Sequence, residues 1–234
     1  MLKRQGELVA NLSTRAKELR ASKDPRPKKI DKLRHYISDP KHGLSPLPSP
    51  LTLPLNPRID VINLVADHST VFKSNLFPML LWFETEEGEY PIMFKNGDDL
   101  RQDQLVIQLF TLMDRLLRKE NLDLKLSPYA VMATGSAEGM IQFVQSKSLA
   151  AIIGEYGSLL KYLKVDHANE GAIGTFGVEP SVLDTFVRSC GKPVRYSTLL
   201  KLWIDSICSR ILCRDLYSRG RRSASGQPDV STRR

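Results

Sequence analysis

The stretch "FKNGDDLRQDQL", Phe94 to Leu105, carries the change of register on which this chain turns. An apolar alternating segment ends in Lys95, a glycine follows, and three aspartates lead into a helical pattern. Leu100 to Glu120 then puts Leu105, Leu109, Leu112 and Leu116 on one side of a helix, with Phe110 and Met113 as the alternative register. That spacing predicts a long helix. Asp98 or Asp99 is placed to cap it, because a carboxylate there accepts a first-turn amide and suits the positive end of the helix dipole. Lys95 therefore ends a strand and Asp103 lies in the first turn of the helix after it, so one cation and one carboxylate are expected to face a common cleft. A lysine in such a position can neutralise a nucleotide phosphate while a nearby acid fixes its ammonium. Taken without context, the same residues make a solvated helix cap.

Upstream, "RIDVINLV" (58 to 65), "MLLWFETEE" (79 to 87) and "EYPIMFK" (89 to 95) read as strands, the last two joined through Gly88. Leu2, Val9, Leu12, Ala16 and Leu19 trace one stripe of an amino-terminal helix. Pro25 and Pro27 are expected to break it, and a shorter helical piece runs from Ile30 to Ile37. Between Asp39 and Pro57, prolines at 40, 46, 48, 50, 54 and 57 remove so many amide donors that a linker or a strap over a domain is expected. Downstream, "YAVMATG" and "GMIQFVQ" form a strand pair, and helical spacing returns over Leu149 to Leu163 and Val182 to Val187. The order predicts an α+β fold, an antiparallel sheet crossed by one long helix. The expected divisions are a helical segment (1–38), the proline-rich linker (39–57), a folded domain (58–190) and a divergent basic tail (191–234).

Composition bounds the function. With 234 residues and 41% hydrophobic content, a real core is affordable. No run approaches the roughly 18 apolar residues of a membrane span, and the amino terminus lacks a signal-peptide pattern, so a cytoplasmic setting is expected. Cys190, Cys208 and Cys213 lack zinc or disulfide spacing. The net charge of +8 divides into +7 over residues 1–44, −6 over 45–190 and +7 over 191–234. The acidic middle repels phosphodiester backbones, which argues against a nucleic-acid surface there.

From Phe94 to Gly135 the residues "FKNGDDLRQDQLVIQLFTLMDRLLRKENLDLKLSPYAVMATG" closely resemble the amino-terminal lobe of the phosphatidylinositol 3-kinase domain, above all the class III, vacuolar-sorting type. The resemblance covers about Val71 to Cys190 and, less specifically, the two helices before it. It implies an amino-terminal lobe plus the first helices of a carboxy-terminal lobe. It also implies that "VFKSNLFP" (71 to 78) covers the ATP phosphates, with Ser74 and its amide turned toward them. That loop contains no glycine, so it is neither a Walker loop nor the glycine-rich loop of protein kinases. By the same resemblance Lys95 contacts the phosphates, while Asp103 and Tyr129 form the polar floor. Gln142, Phe143 and Val144 form the hinge that takes the adenine edge through backbone groups, with Ile141 and Phe143 adding apolar contact. Read without the family, these residues are a capped helix, a buried tyrosine and an ordinary strand.

The family's next motifs, GDRHxxN and the metal-binding DFG, do not occur in these 234 residues. No catalytic or metal-ligating residue is therefore assigned, although magnesium accompanies ATP in the complete family enzyme. The resemblance implies transfer of the ATP γ-phosphoryl group to the 3-hydroxyl of phosphatidylinositol, on endosomal or autophagic membranes and with a protein-kinase-like regulatory subunit. This chain alone is expected to be inactive, because positioning and charge stabilisation carry phosphoryl transfer. Two other functions stand beside it: a non-catalytic nucleotide- or partner-binding module, and a basic adaptor for RNA or acidic lipid.

Overall fold

The computed structural model describes residues 1–171 and 173–190. The expected basic tail, with Cys208 and Cys213, lies outside the described residues. Two compact units emerge: Met1–Thr111 with Tyr129–Phe143, and Leu112–Pro128 with the described residues from Val144 onward.

The first unit opens with helices α1 (Leu2–Ala21) and α2 (Arg26–Ser38). Helix α1 buries Leu8, Leu12, Ala16 and Leu19, spacings of four, four and three that keep one stripe inward. Leu2, expected on that stripe, is exposed. Pro25 and Pro27 do end the first helix, but they also begin the second: Pro25 is the α2 N-cap and Pro27 sits in its first turn. Proline suits that position because first-turn amides have no intrahelical partner to lose.

The proline-rich stretch is a strap. After a short 3-10 turn (Pro40–His42), β1 (Leu51–Thr52) pairs antiparallel with β2 (Asp60–Val71). Leu44, Leu51 and Leu53 are buried beneath it. Arg4 fastens it by donating to the carbonyls of Ser49 (2.6 Å) and Pro50 (3.2 Å). Prolines prevent a long strand here, yet the leucines between them still anchor the backbone to the core.

Strands β3 (Met79–Thr85), β4 (Gly88–Asn96), β5 (Val131–Gly135) and β6 (Glu138–Gln142) complete an antiparallel sheet of order β1-β2-β3-β4-β6-β5. Alternation along β3 and β4 sends Met79, Leu81, Phe83, Ile92 and Phe94 into one core with α1 and α2. Each such buried side chain contributes about 1.5–3 kcal/mol over an exposed one. The expected antiparallel sheet and its hairpins are all present, and the α+β class is that of the sequence reading.

Helix α3 spans Arg101–Lys119. Its periodic leucines are not buried: Leu105, Leu109, Leu112 and Leu116 are all exposed, and Ile107 is the buried residue of the helix. Its first turns meet the strands through Gln104, whose Oε1 accepts from the Ala133 amide at 2.9 Å.

In the second unit, the expected helix over 149–163 is two: α4 (Leu149–Tyr156) and α5 (Leu159–His167), parted at Gly157. Gly157 takes φ 76°, the left-handed C-cap conformation, and Ser158 then caps α5 by accepting from the Lys161 amide at 3.2 Å. Helix α6 (Pro180–Cys190) follows, and Leu163, Val178 and Val182 form a small core.

Candidate functional site

Register decides which side chains share a surface. On β4 and β6, Met93 lies opposite Ile141 and Lys95 opposite Gly139, whereas Phe94 opposite Met140 belongs to the core. Side chains alternate across a sheet, so Lys95, Met93 and Ile141 lie on the face turned away from α1 and α2. Phe143, two residues beyond Ile141, continues that face. Gly139 holds a place where no side chain fits: a Cβ would meet the Met132 carbonyl oxygen and Leu100. Lys95 accordingly extends past a bare backbone.

The Lys95 side chain is about a quarter exposed, and its Nζ lies 3.2 Å from the Asp98 carboxylate. Gly97 permits this return of the chain, with φ 107° and its amide donating to the Ala137 carbonyl at 2.6 Å. The two capping candidates have separate tasks. Asp98 faces Lys95, whereas Asp99 accepts from the Arg101 amide at 3.0 Å and from its guanidinium at 2.6 and 2.9 Å. The Arg101 hydrogen bonds hold the Asp99 carboxyl down at about 2. Asp103 is half-buried in the first turn of α3, and Tyr129 is buried just ahead of β5. The carboxylate at ion-pair distance from Lys95 is thus Asp98, a residue the sequence reading offered only as a cap.

The loop from Phe72 to Pro78 closes the β2–β3 hairpin. Its ends are joined by the Phe72 amide donating to the Pro78 carbonyl at 2.9 Å. The Ser74 amide, expected to turn toward phosphate, donates to the Phe72 carbonyl at 3.0 Å, while the Ser74 carbonyl accepts from Phe77 at 3.1 Å. Ser74 Oγ accepts only a long bond, 3.5 Å, from the Leu76 amide. In this conformation the hydroxyl is the better placed of the Ser74 donors for a further partner. The ring of Phe72 lies 5.7 Å from that of Phe143, so the loop entrance rests on the end of the candidate hinge.

The hinge residues differ in what they have left to offer. The Gln142 amide donates to Ala130 (2.8 Å) and its side-chain Oε1 accepts from the Ala130 amide (3.0 Å). The Phe143 amide donates to Pro91 at 3.0 Å. Both amides serve the sheet. The Val144 carbonyl accepts from Ser146 Oγ at 3.2 Å.

Sequence reasoning passed over Glu138. Its Oε2 accepts from Ser13 Oγ (2.6 Å) and Asn96 Nδ2 (2.9 Å), with Lys17 Nζ at 3.5 Å. Burial pushes this carboxyl upward, but the Ser13 hydrogen bond, the Lys17 charge and the Asn96 bond outweigh it and hold it below its ordinary range. The carboxylate ties α1 to the residue after Lys95. Its partners are 125 and 42 residues away in sequence, so no local pattern announced it.

Among the described residues, no group of three or more His, Cys, Asp or Glu side chains is arranged to hold a metal ion. None of the described helices is long and apolar enough to cross a membrane.

Comparison with known proteins agrees with the α+β fold. Residues 89–199 match the family described as phosphatidylinositol 3- and 4-kinase. The chain is 45% identical over 192 residues to phosphatidylinositol 3-kinase pik3 of Schizosaccharomyces pombe, covering 81% of this chain and 24% of that protein. It is 46% identical over 191 residues to phosphatidylinositol 3-kinase VPS34 of Arabidopsis thaliana, covering 81% and 23%. Against phosphatidylinositol 3-kinase VPS34 of Saccharomyces cerevisiae the identity is 41% over 191 residues, covering 81% and 22%. The chain thus spans under a quarter of the length of these relatives. With the sheet, the lysine turn and these identities in agreement, the chain belongs to the phosphatidylinositol 3- and 4-kinase family, as a fragment of a kinase domain homologous to class III phosphatidylinositol 3-kinase.

Proposed function

We propose that these residues form the ATP-clamping part of a phosphatidylinositol 3-kinase catalytic domain. The observation that carries this is the placement of Lys95 and Ile141 on one sheet face, turned away from the core, with the Phe72 ring of the hairpin loop resting on Phe143. A phosphate chain laid along that face meets a cation from Lys95 and a hydroxyl from Ser74. The apolar side chains of Ile141 and Phe143 give a flat base the surface it requires. Backbone groups at Gln142, Phe143 and Val144 supply the adenine contacts. The Gln142 and Phe143 amides already bond within the sheet. Asp103 and Tyr129 complete the polar floor.

ATP supplies the transferable phosphoryl group when bound, and this chain's residues bind and orient it. Among the described residues no carboxylate cluster is arranged to hold magnesium. The whole relatives' activity, 3-phosphorylation of phosphatidylinositol, is the reaction this clamp serves. A lipid membrane surface, with a protein-kinase-like regulatory subunit, is the proposed working environment.

The test is calorimetric titration of the 234-residue chain with a non-hydrolysable ATP analogue. Wild type is expected to bind, and Lys95→Ala to lose at least tenfold in affinity with an unchanged melt, as loss of a charge-assisted phosphate contact should do. Equal affinity in the two proteins refutes the clamp. A lipid kinase assay on the same preparation should stay at background, since GDRHxxN and DFG are absent from these residues.

A further inference from the structure

Among the described residues Lys29 is the one buried lysine, 1% exposed, and the clamp described above does not use it. Its Nζ donates to the Leu19 carbonyl and, at 2.7 Å, to the carbonyl of the C-cap Ser22, two of the acceptors that the end of α1 leaves without intrahelical partners. Those bonds alone would make it a helix cap. The third contact points elsewhere: the same nitrogen sits 3.8 Å from the centroid of the Phe77 ring. Phe77 ends the hairpin loop that covers the proposed phosphate position, and it holds φ 47°, in the left-handed region that a bulky residue seldom adopts without outside support. One turn earlier on α2, Arg26 Nε donates to the Val71 carbonyl at 2.6 Å, at the other end of that loop. Successive turns of α2 therefore grip both ends of the hairpin from the core side.

We propose that Lys29 is a positioning residue for the nucleotide clamp, holding the 72–78 loop at its working height through the Phe77 ring while Arg26 fixes the loop's entrance. A cation over an aromatic face and shielded from water is attracted strongly enough to matter. Because the ammonium is fastened to the carbonyls of Leu19 in α1 and of its C-cap Ser22, the height of the loop becomes a property of the α1–α2 junction. Lys29 touches no nucleotide in this arrangement and acts only through Phe77. The proposal rests on the clamp reading, which assigns the loop to the phosphates.

The experiment compares a non-hydrolysable ATP analogue with adenosine on the full 234-residue chain, in wild type, Lys29→Met, Phe77→Leu and Phe77→Tyr. Lys29→Met and Phe77→Leu are expected to weaken the analogue about fivefold to tenfold and leave adenosine within twofold, since what is lost is phosphate placement. Phe77→Tyr keeps an aromatic face and should match wild type. Analogue and adenosine weakening together, or neither weakening, overturns the proposal. Should Lys29→Met not fold, the Phe77 pair carries the same comparison. Hydrogen exchange separates this from failure of the clamp reading. If wild type binds no analogue, the clamp falls. The positioning role of Lys29 still predicts faster exchange at the Phe72 and Phe77 amides in Phe77→Leu, with the β3 and β4 amides unchanged, and unaltered loop exchange refutes it.

Discussion

Lys95 and Asp98, three positions apart, face each other at 3.2 Å, and the sharpness of the turn between them is set by Gly97 at φ 107°. Both side chains are partly exposed. Solvent therefore screens the pair, and under the proposed function Asp98 is the partner that a phosphate displaces from the ammonium.

Asp98→Asn should accordingly leave stability within about 0.5 kcal/mol of wild type, the range of exposed ion pairs. Affinity for the ATP analogue should hold or rise, because the ammonium no longer has to leave a carboxylate. Calorimetry and a denaturant melt check both halves; a tenfold loss of affinity would make Asp98 part of the binding surface instead.

Glu138→Ala removes the common acceptor of Ser13 and Asn96 and leaves two buried donors without it. A loss of about 1–3 kcal/mol is expected, read as a lower urea midpoint at constant slope.

The same carboxylate predicts a pH dependence. Its folded value lies below its unfolded one, so its contribution is complete above the ordinary carboxylate range and disappears as pH falls through the folded value. The stability gap between wild type and Glu138→Gln should therefore be widest near neutral pH and narrow on acidification below about 4. Urea unfolding at a series of pH values measures it. A gap that widens in acid would mean the carboxyl is not held down by its partners.

Gly139→Ala places a methyl group against the Met132 carbonyl oxygen, which is backbone inside the β5–β6 pair and cannot swing aside. Destabilisation of at least about 2 kcal/mol is expected from the forced strand separation. Thermal unfolding tests this. Gly88→Ala is the control: it keeps the cost of a positive φ, 122°, but meets no atom within 4 Å, and so should be milder.

Leu109→Gln should change stability by no more than about 0.5 kcal/mol, because that side chain is half exposed, whereas Leu64→Ala in the core should cost about 2–5 kcal/mol. Paired melts decide it. A large loss at Leu109 would show that the α3 leucine stripe is packed in solution.

Much of the fold was legible because it is local. Period-two apolar runs marked β3 and β4, Gly88 marked their turn, and the Leu12, Ala16 and Leu19 stripe marked α1. Two features went beyond what the local pattern states. Pro25 and Pro27 end α1 as expected, and because a proline in the first helical turn loses no hydrogen bond they also start α2. The leucine stripe of α3 has strong helical spacing, but spacing says which side chains share a face and nothing about what covers that face.

The candidate site divides the same way. Lys95 at a strand end, the acids after it and the apolar strand around Ile141 are properties of neighbouring residues, and side-chain alternation plus a helix start suffice to place them. Pairing across the sheet and packing against α1 and α2 settled the rest. They brought Phe72 onto Phe143 from 71 residues away. They also buried Lys29 beneath Phe77 and Glu138 between Ser13 and Asn96. Such contacts depend on strand register and helix docking, which are fixed only when the whole apolar core closes at once, so no short window of residues contains them.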